Sequence, residues 1–444
     1  MTISSTRERR SLRVLCISPL FAPAADSEAF CSAKLVRALT DTGTEVKVLS
    51  SESIRSKDRV FDASEMWKAT ERLIADVPQP TGREPLRSLS MAVRYQTAIY
   101  SRWVADAVRE AARLHCARKF DLVYSRSLPM IAHVVGYWCA KIFRTPWIAN
   151  INDPWEFNFV PGLAYQKTSA FGEAAYLFWL KRTLRSANLV TYPCRQLHQF
   201  HEKLAGMPHR AEIIPHIGTR SSTKMIQPLA GKTFNLVHAG KLGTSEITGR
   251  STTALLSGLR QFFNLHPEAQ PVTKLALVGQ KDDQTELLIQ KLGLRANVES
   301  VGRVSYEESL KHIASASVCI LVEADFEEGM FFPSKLADYL AAGKPVLALS
   351  PKKGVAADLA LQGGITRVDS KSANEICSAV ENLYRDFAQN SLSTQAPCTN
   401  LISQFEPSVV AGKFLTAAES LLHPVQQTAM QYDELIANSI QVVQ

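Results

Sequence analysis

The 444-residue sequence contains no Cys-x-x-Cys pair and no Asp-x-Asp triplet. Its eight cysteines (Cys16, Cys31, Cys116, Cys139, Cys194, Cys319, Cys377 and Cys398) are scattered, several of them inside apolar runs. Cysteine in such a run behaves as a small hydrophobe. A disulfide framework and a zinc site are therefore not expected, and a reducing cytoplasm is the natural compartment. No cluster of His or Cys is read as a metal site. No window approaches the roughly 18–20 uninterrupted apolar residues that span a bilayer. The best candidate, Met130 to Phe143, is broken by His133 and Lys141 and reads as a buried helix. The start, MTISSTRERR, is polar and basic, and the apolar run after it is strand-sized, so no secretory signal is read there. The net charge of +8 suits anionic partners, but no recognition helix or aromatic-basic array accompanies it, so nucleic acid is not expected.

The length suits two domains of roughly 200 residues each. Short β-rich runs alternate with helical patterns. Strands are read at SLRVLCIS, EVKVL, FDLVYS, WIANIN, NLVTY and EIIPH, with helices over 130–143, 169–187 and 194–205. The rhythm restarts at FNLVHAG and continues through KLALVG, NVESVG, SVCILVE, PVLALS and GITRVD, with helices over 283–292 and 306–315. Such alternation predicts parallel sheets with helices on both faces. The fold expected is α/β, two doubly wound Rossmann-like domains facing a cleft. The domains read as 1–225, 226–405, and a helix with tail over 406–444 that returns toward the first domain. Residues 50–85 read as a long irregular loop. Residues 86–119 read as an Arg-rich helical stretch carrying Arg87, Arg94, Arg102, Arg109 and Arg113. One reading of that stretch is a basic amphipathic helix against an anionic membrane; the other is an ordinary helix with a solvated face.

Three segments carry chemistry. In FFPSKLADYLAAGKPVLAL, Ser334 reads as an N-cap, Gly343 as a C-terminal stop, and Lys335 as a cation at a helix start. Free N–H groups there favour phosphate. Asp338, four residues on, lies on the same face and suits ribose hydroxyls. In FNLVHAGKLGTSEITGR, a strand ends at His238 and Gly240, and Lys241 and Arg250 supply charge for a diphosphate. In WIANINDPW, a buried strand delivers Asp153 to the C-terminal sheet edge, where ligands of open α/β sheets bind.

PSKLADYLAAGKPVLAL resembles the donor-site motif of family 4 retaining glycosyltransferases of the GT-B fold, especially those of bacterial cell-surface polysaccharides. NVESVGRVSYEESLKHIASASVCILV, the HAG loop, PWIANINDPW and the opening SPLFAPAADSEAFCSAKLVRALTDTGTEVKVL resemble further parts of the same family. The resemblance implies a metal-independent transferase without cofactor, using a nucleoside-diphosphate sugar and a saccharide or lipid-linked acceptor. It is expected in the cytoplasm or on the inner face of the membrane. It assigns Lys241, Arg250, Ser334 and Lys335 to the diphosphate and Asp338 to ribose. Gly302 and Val304 would meet the base, with His238 and Gly240 in the donor site. Glu328, Met330, Phe331, Phe332 and Pro333 would contact the donor, and Asp153 and His133 would face the acceptor. The chain departs from the pattern in four places. Met330 stands where the family has the first of two paired Glu residues, and Glu327 and Glu328 are the nearest substitutes. The first loop reads Ala-Asp-Ser-Glu-Ala instead of Gly-rich, Lys241 replaces an Arg, and Arg250 lies farther along than the usual Lys. A nucleotide-sugar epimerase and a catalytically silent partner subunit are the rival readings.

Overall fold

The computed structural model describes residues 11–51, 61–77, 101–127, 129–154, 170–221, 233–242 and 250–422. Two parallel sheets organise them. The first has seven strands in the order β3-β2-β1-β4-β5-β6-β7 and the second six, in the order β10-β9-β8-β11-β12-β13. The first comprises β1 (Arg13–Ile17), β2 (Glu45–Ser50), β3 (Ile74–Asp76), β4 (Leu122–Ser127), β5 (Trp147–Ile151), β6 (Leu189–Tyr192) and β7 (Ala211–Ile213). Strands β1, β4, β5 and β6 are buried along their whole length, as parallel strands covered on both faces must be. Strand β3 lies in the segment expected to be irregular. Its three residues are too few to show an alternating pattern, and its register against Val48–Ser50 fixes it.

The second sheet comprises β8 (Phe234–Ala239), β9 (Thr273–Val278), β10 (Val298–Gly302), β11 (Val318–Val322), β12 (Val346–Leu349) and β13 (Ile365–Val368). Each sheet places its first-entered strand third from one edge and reverses direction beside it, which opens a crevice at the strands' C-terminal ends. Helix α1 (Ser27–Asp41) follows β1. It starts where Asp26 caps the Glu28 N–H and ends before Gly43, whose φ is +87°.

The seam between the two halves is polar and buried. Lys34 on α1 donates to Asp338 Oδ1 at 3.0 Å and to the Tyr306 hydroxyl at 3.1 Å. Asp62 accepts the Tyr306 N–H at 2.6 Å, and the Met66 N–H donates to Glu307 at 3.1 Å. Phe30, Trp67 and Tyr306 pack as an aromatic trio with centroids 4.9–5.4 Å apart. Gly218 N–H donates to the Phe405 carbonyl, and the closing helix Pro407–Leu422 packs back on α1, with Phe414 edge-on to Tyr124. Residues 222–232 of the expected boundary and 423–444 of the expected tail lie outside the described residues.

Helix Ser101–Ala117 is the described part of the Arg-rich stretch. Trp103, Ala107 and Ala111 face the core. Arg109 pairs with Asp106 and Arg113 with Glu110, each three residues back, so these arginines carry their own counterions. Arg87, Arg94 and the Arg102 side chain lie outside the described residues.

Candidate functional site

The crevice of the second half is floored by glycine because backbone crowds against backbone there. Gly240 (φ +126°) ends β8, and a Cβ on it would meet Lys335 Nζ at 2.5 Å. Gly279 (φ +154°) ends β9, where a Cβ would lie 2.2 Å from the Gly240 carbonyl oxygen. Gly302 accepts the Gly279 N–H at 2.9 Å and ends β10. No residue with a Cβ fits the Gly240–Gly279 step without moving the strand ends.

Over this floor lies the start of the helix Ser334–Ala341. Sequence pattern makes Ser334 its cap. The structure gives that position to Pro333, with Ser334 the first helical residue and no side-chain capping bond. Proline lacks an N–H to leave unsatisfied and holds an extended ψ of 114°, so the chain turns into the helix one residue earlier. The helix is bolted to β8 by Tyr339. Its hydroxyl accepts the Ala239 N–H at 2.8 Å and donates toward the Ile320 carbonyl at 3.3 Å.

The bolt sets Lys335 across Gly240. Lys335 Nζ lies 3.2 Å from His238 Nε2, while His238 Nδ1 meets the Ile320 carbonyl at 2.9 Å. Burial, with Lys335 beside it, holds the His238 imidazole well below its ordinary range, so it is neutral and accepts the Lys335 proton in a hydrogen bond. Lys335 itself is depressed by burial and by Arg250, against the pull of Glu323. Glu323, at the end of β11, is raised to about 7 by burial, opposed by Arg250 and Lys335. The four groups form one charge-coupled cluster above the glycine floor.

The first half faces it with carboxylates. Burial raises Asp153 to about 6, with Arg250 opposing and Asp26 assisting. Glu28 is raised to about 8 by burial, against Arg126 and an Asn152 hydrogen bond and with help from Asp153. Asn152 donates to Glu28 at 2.9 Å. Arg126 holds the Tyr124 hydroxyl at 3.1 Å, and its buried Nε and Nη2 have no hydrogen-bond partner among the described residues. Arg250 influences both Asp153 and Glu323, one from each half, and so marks where the two walls meet.

Several expected site residues take other places. His133 is fully buried, its Nδ1 2.8 Å from Ser125 Oγ, which also accepts the Trp147 indole N–H. Burial holds it near 3, and it is a core histidine without a face on the cleft. Asp338 is buried and both its oxygens are engaged: Lys34 and the Thr219 N–H donate to Oδ1 and the Tyr306 hydroxyl to Oδ2. Sequence pattern suits this carboxylate to ribose hydroxyls, and in the structure α1 reaches across to it through Lys34. Lys241 is exposed beside Gly240, and Arg250 is the cation drawn into the cluster. Glu327 and Glu328 are exposed. Glu328 lines a separate recess of about 320 Å³ with Arg195, Lys352 and Asp358. Phe332 packs on His216 and Phe405 under the loop, while Phe331 stacks near Phe326. The Met330 carbonyl accepts from the Cys194 thiol at 3.2 Å. Val304 packs at the seam two residues before Tyr306. Trp155, Gly243 and Gly249 lie outside the described residues.

Arg126 and Glu323 escaped sequence reading, and Glu28 entered it only as part of the Ala-Asp-Ser-Glu-Ala loop. Glu323 is visible in SVCILVE as the polar residue closing a buried strand, which was a usable signal. Glu28 and Arg126 carry no local signal, since the fold brings them together from two different strand–helix units.

Residues 29–216 match the family described as glycosyl transferase 4-like domain, and residues 256–391 the family described as glycosyl transferases group 1. No curated protein matches the chain in sequence. In fold the chain is similar to Anabaena Alr3699/HepE, solved in complex with UDP and glucose. The identity is 16% and the TM-score 0.63, over 92% of this chain and 100% of that one. It is also similar to sucrose-phosphate synthase from Thermosynechococcus elongatus (17% identity, TM-score 0.59, 96% and 100% covered). A third is a putative UDP-N-acetylglucosamine 2-epimerase from Listeria monocytogenes (12%, 0.59, 94% and 98%). At such identities the likeness is one of fold.

Proposed function

The chain belongs to the family 4 glycosyltransferases of the GT-B architecture, a glycosyl transferase 4-like domain followed by a group 1 domain; from that premise we propose that it moves a sugar from a nucleoside diphosphate to a hydroxyl acceptor with retention and without a metal. The observation that carries this reading is the Lys335–His238–Arg250–Glu323 cluster over Gly240 at the start of a helix. A leaving diphosphate develops negative charge as its bond to the sugar breaks. Preorganised cations and helix N–H groups stabilise that charge most strongly where water is excluded. Lys335 and Arg250 serve this role, and Gly240 lets the phosphate approach the backbone. Ser334 and the adjoining N–H groups complete the cradle. Gly302 and Val304 line the base side, and the loop at Met330 and Phe331 lies toward the sugar. The acceptor hydroxyl attacks on the face the diphosphate leaves, and its proton passes to a donor phosphate oxygen. Asp153 and Glu28, on the opposite wall, orient that hydroxyl.

The acceptor in this proposal is a saccharide or lipid-linked saccharide of cell-surface polysaccharide assembly. Membrane contact through the Arg-rich segment belongs to the same proposal. The paired counterions of Arg109 and Arg113 weaken it, and vesicle sedimentation at two salt concentrations tests it. A thermal-shift panel of nucleoside diphosphates identifies the base, because the ligand that binds raises the melting temperature by mass action. Turnover of the matching nucleotide sugar then requires added acceptor and survives chelator. An epimerase is the second reading, favoured by carboxylates held near neutrality at Asp153 and Glu323. It predicts conversion of the nucleotide sugar with no acceptor present.

A further inference from the structure

Strand β6 leads into the sixth described α-helix, α6 (Arg195–Ala205). This helix is built to reverse sharply. Gly206 takes the left-handed conformation (φ +66°) and returns its N–H to the Glu202 carbonyl at 2.9 Å, and Pro208 blocks any further turn. The reversal lays His209 back over the helix, beside His198 and Glu202, which stand four residues apart on one face. Sequence reading finds no cluster here because His209 lies beyond the end of the helix.

Ligand atoms of the three side chains all lie within 4.8 Å of one another. His198 Nε2 and Glu202 Oε1 are 3.3 Å apart. Two ligands bound to zinc at about 2.0–2.1 Å and at a tetrahedral angle stand roughly 3.3–3.4 Å apart. His198 Nε2 and His209 Nδ1 are both buried and make no well-directed hydrogen bond among the described residues, with Glu202 Oε1 beside the first and the Met207 backbone beside His209. Two unsatisfied ring nitrogens in one small space are costly unless something satisfies them both. The other nitrogen of His209, Nε2, meets the Tyr192 hydroxyl at 2.9 Å. A metal on Nδ1 requires the tautomer in which Nε2 donates to Tyr192, in competition with the one that donates to the Met207 carbonyl, and such an outer-shell bond is how a ligating histidine is held in its tautomer. Glu202 is about one-third exposed, which leaves a side open to a water.

We infer that His198, Glu202 and His209 form a binding site for a divalent transition ion of the zinc class, with Tyr192 as its outer-shell partner. Two imidazoles and one carboxylate suit Zn²⁺, Co²⁺ or Ni²⁺ and leave a fourth position for water. The ion ties the Gly206 turn to α6. The first turn of α6 meets the other half of the chain through Gln196 and Asp358 at 2.6 Å. None of the three ligands belongs to the Lys335 cluster, so the site is independent of metal-free sugar transfer.

The test titrates Co²⁺ into the metal-stripped full chain and follows visible absorption, with Zn²⁺-dependent melting as a second readout. We expect one saturable equivalent per chain with tetrahedral d–d bands and no thiolate charge-transfer band, displaced by Zn²⁺, and a melting temperature that rises with Zn²⁺. His209→Gln and His198→Ala abolish the bands. Tyr192→Phe weakens binding about tenfold or more. Should either histidine variant fail to fold, Glu202→Gln, at a partly exposed position, carries the same expectation. No saturable binding overturns the site. So do bands of unchanged strength in the histidine or Glu202 variants, and a thiolate band, which would place the ion on exposed Cys116 or Cys398.

Discussion

The two walls of the cleft differ in charge and in how they are assembled. The wall from the second half is cationic at Lys335 and Arg250, and its phosphate-facing core comes from two short segments, one at the end of β8 and one at the start of the helix Ser334–Ala341, with Arg250 and Glu323 joining from beyond β8 and β11. The wall from the first half is acidic at Asp26, Glu28 and Asp153, with Arg126 among them, and is gathered from the start of α1, the end of β4 and the residues after β5. Phosphate recognition uses backbone N–H groups, glycine and one or two cations, which a single turn of chain can supply. Orienting a neutral hydroxyl uses side chains that converge from several strands. The phosphate-facing part of the donor wall is thus a local structure and the acceptor wall a tertiary one.

The seam reverses the pattern, and breaking it gives the largest expected effect. There the first half supplies the cation, Lys34, and the second half the acid, Asp338, both almost fully buried. Removing one member leaves the other charge buried and uncompensated. Lys34→Met is therefore expected to destabilise the chain by about 3–5 kcal/mol in denaturant unfolding. Adding Asp338→Leu to it should recover much of the loss. A double variant as unstable as the single one would show that Asp338 is held by Tyr306 and Thr219 without need of Lys34.

Next in size is the donor wall itself. Lys335→Ala is expected to lower kcat by about 10²–10³-fold, the usual cost of one preorganised charge at a developing anion. It should also weaken nucleoside diphosphate binding in calorimetry. The wall's pH response has a fixed direction. Glu323 is raised and Lys335 lowered, so falling pH neutralises the acid and charges the base. Both changes favour an anionic ligand, and nucleotide-sugar affinity should increase as pH falls from about 8 to 6. Glu323→Gln should flatten that profile. A profile of equal slope in the variant would take Glu323 out of the donor wall.

The acceptor wall is probed through Glu28. Its folded pKa of about 8 lies above the unfolded carboxylate value, so the folded state holds the proton more tightly. The resulting stability is fully present below the unfolded value near 4.5 and is lost as pH rises through about 8. Glu28→Gln keeps the neutral form at every pH. It is expected to match the parent protein below about pH 4.5 and to exceed it in melting temperature by a margin that grows up to about pH 8. Equal melting curves at both ends would mean that Arg126 keeps Glu28 ionised.

The same contrast explains what the sequence discloses. The strands of both sheets are legible because buried parallel strands are continuous apolar runs, and Gly43 and Gly343 mark helix ends by conformation alone. The donor segments are legible for the same local reason. Asp338 misleads because its partner, Lys34, is 304 residues away. His133 misleads because a helix facing a sheet and a helix facing a cleft share one periodicity. Its contact with Ser125 Oγ decides between them. Strand β3 and Asp62 sit in a polar stretch that looks irregular, yet Asp62 takes the Tyr306 N–H from the other half.

Ser334 gives the smallest effect and the sharpest separation of local structure from ligand binding. Sequence pattern assigns its hydroxyl to capping, and loss of a true cap costs about 0.5–2 kcal/mol. In the structure Pro333 occupies the cap position and no side-chain capping bond is made. The Ser334 hydroxyl, partly exposed at the mouth of the cradle, remains available to a phosphate oxygen. Ser334→Ala should therefore leave the unfolding midpoint within the spread of ordinary surface substitutions, about 0.5 kcal/mol. It should weaken nucleotide-sugar binding by one hydrogen bond, about 0.5–1.5 kcal/mol or roughly two- to twelve-fold in Kd. Calorimetry and denaturant unfolding on the same variant distinguish the cases. A stability loss near 1 kcal/mol with unchanged affinity would return Ser334 to the role of a cap. An affinity loss at constant stability places its hydroxyl on the diphosphate.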